Sequence, residues 1–374
     1  NKIKIFFLIV LILLLINTFF SIFHEINQFK EWQFSSNIIG LFNWIPFFIC
    51  FFLIQPYLKN EKYRTLSTYF LLIGTFPLLV TGIGEFYLGW GNQLSTFNGN
   101  IIWFLKPKSE IKGLSGLFSN PNYAASWLTM MWPLTIGTIL NNTKNKYKLV
   151  FSIIYSLIIL FLTLLTNSKD TLISLFMPII FLFNQSFLRL LILGSIITFI
   201  VFLYEKYFIK LGLNSILISI WENTIDNDLK KVSEIFPRID IWRVAFIAIF
   251  KKPFLGWGAA SFPFIYVLYK NEFTNDYITH AHNLFLEASV NYGLIFSISL
   301  FFIITKVLIK SWKIIFNKDK NFIDKCWWIS LFIFIFNQFF DVTYYDVRIS
   351  LLFWIILAGL YTIINEEQIT NNIK

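Results

Sequence analysis

Charged residues are scarce in this chain, and their scarcity excludes an ordinary soluble protein. Only 14% of the 374 residues are charged and 56% are hydrophobic, whereas soluble domains carry roughly 25% charged residues. The two cysteines, Cys50 and Cys326, form neither a disulfide framework nor a metal-binding spacing. We therefore expect no metal site, and no sequence pattern points to a cofactor.

Long apolar runs fill most of the chain instead. Runs of about 18 or more apolar residues are typical of transmembrane helices. The sequence therefore predicts an all-α polytopic membrane protein, with residues 1–374 forming a single integral membrane domain. About ten transmembrane helices are expected, at residues 3–23, 38–58, 66–84, 122–140, 149–166, 171–185, 187–204, 284–309, 327–344 and 349–364.

Most basic residues are lysines in short loops. This distribution indicates how the protein is oriented in the membrane rather than nucleic-acid binding. The formal net charge of +10 favours contact with membrane lipids in such a protein. Even numbers of predicted spans separate three basic clusters, so all three share the cytoplasmic side with both termini. The clusters are Lys59, Lys62 and Arg64; Lys144, Lys146 and Lys148; and Lys306, Lys310, Lys313, Lys318, Lys320 and Lys325.

Segment 205–283 is the longest stretch without a predicted span, and it gathers the rarest polar residues. It carries Arg238 and Arg243 out of five arginines, and His280 and His282 out of three histidines. The lysine clusters place it on the external face. For a multi-pass protein of the bacterial inner (plasma) membrane, that makes it one large periplasmic loop.

The two histidines stand at the entry to the predicted eighth span. Histidine changes charge near neutral pH, so His280 and His282 are candidates for a general base or a phosphate ligand. The alternative is a capping or interfacial role. A His-x-His pair without further ligands does not indicate a metal.

The two arginines open an apolar segment that begins at Pro237 and ends at Lys251-Lys252-Pro253. This pattern predicts an amphipathic helix at the outer leaflet. Arginine binds phosphate oxygens with two parallel hydrogen bonds, which suits a diphosphate group. The alternatives are arginines that reach out to the interface and an Asp240–Arg243 ion pair.

Other ionisable residues fall on the same predicted face. Lys169 lies in a very short external turn, and Arg348 lies at the external end of the last two spans. Glu287, Asp341 and Asp346 are also expected near this end, where charges close to the bilayer are functional candidates. Mutual neutralisation, for example of Asp346 with Arg348 or Lys169 with Asp170, is the alternative.

Four short motifs occur in order between residues 113 and 295. They are Gly116-Leu117-Phe118-Ser119-Asn120-Pro121-Asn122; Thr166-Asn167-Ser168-Lys169; Arg238-x-x-x-Trp242 followed by Pro253-x-x-Gly256-x-Gly258 and Phe262; and His280-Ala281-His282-Asn283-x-x-Leu286-Glu287 followed by Gly293. This combination resembles the O-antigen ligase/O-antigen polymerase superfamily of bacterial envelope glycosyltransferases. Lys169 departs from the family pattern, which usually has Arg there and so a planar fork of donors.

The resemblance implies a C-type membrane glycosyltransferase fold and metal-independent transfer to an acceptor hydroxyl. It implies an undecaprenyl-diphosphate-linked glycan donor and a lipid-core or carrier-linked glycan acceptor. Arg238 is then the expected diphosphate ligand and His282 the expected base. The further expected substrate-binding residues are Lys169, Arg243, His280, Asn283 and Arg348. Family members commonly have about twelve spans, so ten fits an N-terminal truncation or two spans that hydropathy misses.

Two questions stay open at the sequence level. The motifs do not separate a ligase, which moves a finished glycan, from a polymerase, which joins repeat units. The alternative outside enzymes is a small-solute membrane transporter, of the inorganic-carbon type. A transporter should carry ionisable pairs at the membrane midplane and broken helices, whereas the ionisable residues here cluster at the external rim.

Overall fold

The structure, a computed structural model, is overwhelmingly helical, as the hydropathy pattern predicts. It describes residues 2–23, 30–90, 94–96, 101–103, 113–118, 120–141, 144–182, 237–270, 278–317 and 321–373. The predicted seventh span, 187–204, lies outside the described residues, as does most of the first half of segment 205–283. The strands in the described part form one small antiparallel hairpin, with β1 (Leu94–Thr96) paired to β2 (Ile101–Trp103).

The helices before residue 183 match the predicted spans in position. They are α1 (Lys2–Phe23), α2 (Lys30–Phe42), α3 (Ile45–Leu58), α4 (Glu61–Tyr87), α5 (Pro121–Asn141), α6 (Lys146–Leu165), α7 (Lys169–Ser174) and α8 (Met177–Leu182). A 3₁₀ helix, Gly116–Phe118, precedes α5. The predicted sixth span, 171–185, is wrong as a continuous helix, because a turn separates α7 from α8.

The helices after residue 236 include part of the predicted periplasmic loop. They are α9 (Pro237–Lys251), α10 (Phe262–Tyr269), α11 (Leu284–Tyr292), α12 (Leu294–Asn317), α13 (Phe322–Asn337) and α14 (Val347–Ile373). The helix predicted from Pro237 is thus confirmed as α9. A second 3₁₀ helix, Thr343–Tyr345, joins α13 to α14, so the predicted ninth span, 327–344, ends too late.

Several helices are long and apolar enough to cross a bilayer. Within the described residues these candidate spans are Ser36–Leu58, Glu61–Tyr87, Lys146–Leu165, Leu294–Phe316 and Val347–Thr370. Their outward faces carry exposed apolar side chains, as on α4, where Phe70, Ile73 and Phe76 are each more than half exposed. Apolar side chains at helical spacing on an outer surface suit contact with lipid. The chain is therefore a multi-pass membrane protein.

Helix α5 forms the centre of the bundle, packed against α6 and α13. Asn120 Oδ1 accepts a hydrogen bond from the backbone N–H of Asn122 at 2.8 Å, so Asn120 caps the helix just before Pro121. Buried hydroxyls of α5 bond to carbonyls of their own helix, as Thr129 Oγ1 does to Ala125 O at 2.8 Å. Small and hydroxyl-bearing residues allow membrane helices to pack closely on all sides.

The predicted eighth span, 284–309, is wrong as a single helix. Gly293 has φ +86° and separates α11 from α12, a conformation that glycine adopts without a steric penalty. Segment Pro253–Gly258 docks against this break: Leu294 N donates to Pro253 O at 2.7 Å, and Trp257 N donates to Val290 O at 2.8 Å. The Pro-x-x-Gly-x-Gly motif thus packs α9 and its following turn onto α11.

A buried ion pair joins the start of α4 to the start of α13. Arg64 Nε and Nη2 donate to the two carboxylate oxygens of Asp324 at 2.7 and 2.8 Å, and both residues are buried. Arg64 Nη1 also donates to Leu58 O and Lys59 O. This arginine, used above as a topology marker, therefore ties three helices together.

Candidate functional site

His282 and Asp341 meet at the end of the bundle where α11 begins and α13 has ended. His282 Nδ1 lies 3.0 Å from Asp341 Oδ1. Asp341 Oδ2 accepts a hydrogen bond from Asn122 Nδ2 at 2.8 Å, and Oδ1 accepts one from Val342 N at 2.8 Å. An ionised Asp341 assigns the imidazole proton to Nδ1, which leaves Nε2 as a proton acceptor.

The backbone around His282 is unusual. His282 has φ +48°, a left-handed conformation that is uncommon for residues other than glycine. Asn283 caps α11 by accepting hydrogen bonds from Phe285 N at 3.0 Å and Leu286 N at 3.1 Å, and its Nδ2 donates to Phe339 O. Asn283 therefore holds the turn that presents His282.

His280 lies beside a second carboxylate. Its Nδ1 is 3.7 Å from Glu287 Oε1, which is an ion-pair distance and too long for a hydrogen bond. The His280 ring lies against the Tyr345 ring, with centroids 5.6 Å apart. Glu287 is only 1% exposed. We name His280, His282, Glu287 and Asp341 the histidine site.

The electrostatics of the histidine site differ between its members. Burial raises the pKa of Asp341, but hydrogen bonds and charge from His282, with bonds from Val342 N and Asn122, bring the pKa below its ordinary value. Burial lowers the pKa of His280, but the Glu287 carboxylate and the Asp341 charge reverse this, so its pKa is raised overall. The site therefore favours a carboxylate at Asp341 and a cation at His280.

Arg348 is engaged with neighbouring residues on the same rim. Its Nε and Nη2 donate to Asp346 at 2.9 and 2.6 Å, and its Nη1 donates to Leu117 O at 3.0 Å. Its guanidinium also stacks over the Phe118 ring at 3.9 Å. The neutralising Asp346–Arg348 pair that the sequence left open is present, and it anchors the 3₁₀ helix before α5.

Arg238 and Arg243 both belong to α9. Arg243 Nε donates to Asp240 Oδ1 at 2.9 Å, and its Nη2 donates to Tyr269 O at 3.3 Å. This is the predicted Asp240–Arg243 pair, and it links α9 to α10. Arg238 lies in the first turn of α9 and is half-buried.

Lys169 begins α7, directly after the tight turn that the sequence predicted. Asn167 in that turn has φ +56°, and Ser168 N donates to Thr166 Oγ1. Helix α7 packs against α5 and α13, where Ser174 Oγ donates to Asn337 Oδ1 at 2.6 Å. Lys169 therefore begins a helix that contacts α5, which carries Asn122, and α13, which precedes Asp341.

Sequence reasoning placed Asp341 on the rim but did not pair it with His282, and it gave Asn122 no role. The signal for Asn122 was its place in the Gly116–Asn122 motif. Buried polar side chains extend the same region: Ser126 Oγ lies 3.1 Å from Thr343 Oγ1, and Gln338 Nε2 donates to that hydroxyl at 2.6 Å. These contacts fix the turn that carries Asp341.

Among the residues that the structure describes, no group of three or more His, Cys, Asp or Glu side chains could hold a metal ion. The histidine site has instead the arrangement of a base with an orienting carboxylate. A hydroxyl proton could pass to His282 Nε2, since that side chain is about one-third exposed.

Fold and site together define a class: a multi-pass helical membrane protein with two histidine–carboxylate pairs at one end of its helices. Residues 154–302 match the family model described as O-antigen ligase. This match confirms the predicted resemblance to the O-antigen ligase superfamily over residues 154–302. The matched segment includes Arg238, both histidines and Glu287, while Asn122 and Asp341 lie outside it.

A curated relative gives a second comparison. Over 190 residues the chain is 26% identical to a protein of Acinetobacter baylyi named ComP-specific O-oligosaccharyltransferase. The alignment covers 50% of this chain and 34% of that protein. The chain thus spans about a third of the length of this relative.

Proposed function

We propose that this protein is a membrane glycosyltransferase of the O-antigen ligase/polymerase type. It transfers a glycan from an undecaprenyl-diphosphate-linked donor to an acceptor hydroxyl at the periplasmic face of the inner membrane. The observation that carries this proposal is the 3.0 Å contact of His282 with Asp341. The superfamily supports the same reaction class.

In the proposed reaction, His282 is the general base. Its Nε2 removes the proton from the acceptor hydroxyl while the hydroxyl oxygen bonds to the anomeric carbon of the donor sugar. The bond from that carbon to the diphosphate oxygen breaks, and the lipid diphosphate leaves with the electron pair. Asp341 orients the imidazole and stabilises the imidazolium that forms.

The leaving diphosphate needs cationic partners, because negative charge grows on it as the bond breaks. We assign Arg238 as its principal ligand, with His280 and Lys169 contributing. Arg243 and Arg348 are further proposed ligands, and each also binds a carboxylate of this chain. Asn283 acts by holding the His282 turn.

The acceptor is proposed as an oxygen nucleophile. The name of the Acinetobacter relative describes transfer of an oligosaccharide to oxygen, which agrees with a hydroxyl. Both expected acceptor classes, a lipid core and a carrier-linked glycan, present such hydroxyls. A transporter would use its ionisable groups at the midplane, whereas the histidine site lies at the ends of α11 and α13.

The surface glycan profile of a deletion strain tests the proposal. Loss of all long chains on the acceptor, with carrier-linked polymer retained, indicates a ligase. Single repeat units on the acceptor indicate a polymerase. Complementation by the wild-type gene but not by His282→Ala supports the site, and an unchanged profile in the deletion strain contradicts the function.

A further inference from the structure

Glu287 is a buried carboxylate at the centre of the histidine site. It is 1% exposed, and a carboxylate taken out of water is costly unless hydrogen bonds or an opposite charge compensate it. Its Oε2 accepts a hydrogen bond from Ala281 N at 2.8 Å, and its Oε1 accepts one from Asn291 Nδ2 at 3.1 Å. His280 Nδ1 lies 3.7 Å from Oε1.

The contact with Ala281 resembles an extended helix cap. In an ordinary capping box the side chain at the third helical position reaches back to the amide of the cap residue. Here Glu287 is the fourth residue of α11, and it reaches past the cap Asn283 to an amide two residues earlier. The carboxylate therefore binds the backbone between His280 and His282.

This anchor bears directly on the conformation of His282. A left-handed conformation is strained for a residue other than glycine and persists only where neighbouring contacts enforce it. The His282 turn has φ +48° and is held on one side by the Asn283 cap and on the other by the Ala281–Glu287 bond. Loss of either contact should let the imidazole leave Asp341.

The same carboxylate acts on His280. Glu287 from α11 and Asp341 from the turn after α13 face its ring as negative charges, while Tyr345 from the 3₁₀ helix packs against it and His282 lies two residues away. Burial raises the pKa of Tyr345 well above its ordinary value, so this phenol stays neutral. Glu287 is the closest charge to His280 in this set.

We propose that Glu287 is a positioning residue, which fixes the backbone turn that carries both histidines and keeps His280 protonated beside the donor diphosphate. This inference rests on the proposed function for its catalytic consequence. Its structural half, the coupling of Glu287 to the His280 charge, stands without it. Glu287 itself takes no part in bond making.

Two variants separate the two effects. Glu287→Gln keeps an oxygen that can accept from Ala281 N but removes the charge, whereas Glu287→Ala removes both. For Glu287→Ala we expect kcat to fall roughly tenfold or more with little change in donor KM. For Glu287→Gln we expect kcat near wild type at pH 6. Donor KM should rise with increasing pH in both proteins, and the rise should begin at lower pH in Glu287→Gln because His280 loses its proton more readily without the carboxylate. Ser289→Ala is the control on the same helix.

A measurement without donor tests the coupling whether or not the protein transfers glycan. Because the folded-state pKa of His280 is raised, its ion pair stabilises the fold below the unfolded pKa and is lost as pH rises through the folded pKa. Thermal unfolding of the purified protein from pH 6 to pH 9 should therefore show a pH-dependent loss that Glu287→Gln and His280→Gln both reduce.

The inference fails if Glu287→Gln leaves both the unfolding profile and the KM profile superimposed on those of the wild type. It also fails if folded Glu287→Ala retains wild-type kcat. If Glu287→Ala does not fold, the Gln variant alone decides. An inactive wild-type protein with the expected unfolding shifts would contradict the proposed function but support the coupling.

Discussion

At the residue scale, the account depends on how His282 and Asp341 share a proton. An imidazole without its orienting carboxylate adopts the wrong tautomer or rotates away, which costs most of the benefit of a general base. Asp341→Asn should therefore lower kcat by roughly 10²-fold or more, with donor binding and protein level largely kept. Steady-state kinetics on purified protein measure this, and wild-type turnover in the variant would remove Asp341 from the mechanism.

Arg238 and Arg243 provide a contrast between two arginines of one helix. Arg238→Ala should abolish transfer while protein level stays near normal, and Arg238→Lys should also be poor, because a lysine lacks the two-pronged contact with phosphate. Arg243→Ala should instead lower stability, since buried Asp240 loses its ion pair with Arg243. Transfer assays and thermal unfolding of all three variants check this. Full activity in Arg238→Ala would refute the assignment.

At the element scale, the break between α11 and α12 sets where the histidine site lies relative to the membrane helix. Gly293 has φ +86° and its backbone faces the Phe254 carbonyl, so an added Cβ would collide there. Gly293→Ala should destabilise the protein by about 1–3 kcal/mol or more. Gly74→Ala is the matched control, because a Cβ there meets no atom within 4 Å. Thermal unfolding compares the two, and equal midpoints would contradict this account of the break.

Hydropathy predicted most of the helices but missed the break between α11 and α12, for a physical reason. Apolar periodicity reports the character of side chains, so it placed α4 and α6 within a few residues but joined α11 to α12 across a glycine. The His282–Asp341 contact joins residues 59 positions apart, and Asn122–Asp341 joins residues 219 apart. Such pairings arise from helix packing, which no local pattern encodes. The motifs and the local pairs Asp240–Arg243 and Asp346–Arg348 were predictable from the sequence, whereas the long-range partner of His282 was not.

At the scale of the whole molecule, the lysine clusters predict that both termini are cytoplasmic and that segment 205–283 is periplasmic. A single cysteine at Asn227, which lies outside the described residues, should react with a membrane-impermeant reagent in intact cells. The background replaces Cys50 and Cys326, with Cys326→Ala preferred because that site is fully buried. Labelling that requires permeabilisation of the inner membrane would reverse the predicted topology.

The most direct test is glycan transfer by purified protein with a lipid-linked donor, with and without a chelator, for three histidine variants. His282→Ala should fall to near-background turnover with donor binding largely intact, since a general base contributes typically 10²–10⁴-fold. His280→Ala should retain measurable activity with weaker donor binding. His24→Ala, which changes a histidine outside all the motifs, should behave as wild type. An active His282→Ala with an inactive His280→Ala would show that the wrong base was chosen, and activity lost on chelation would contradict the metal-independent mechanism.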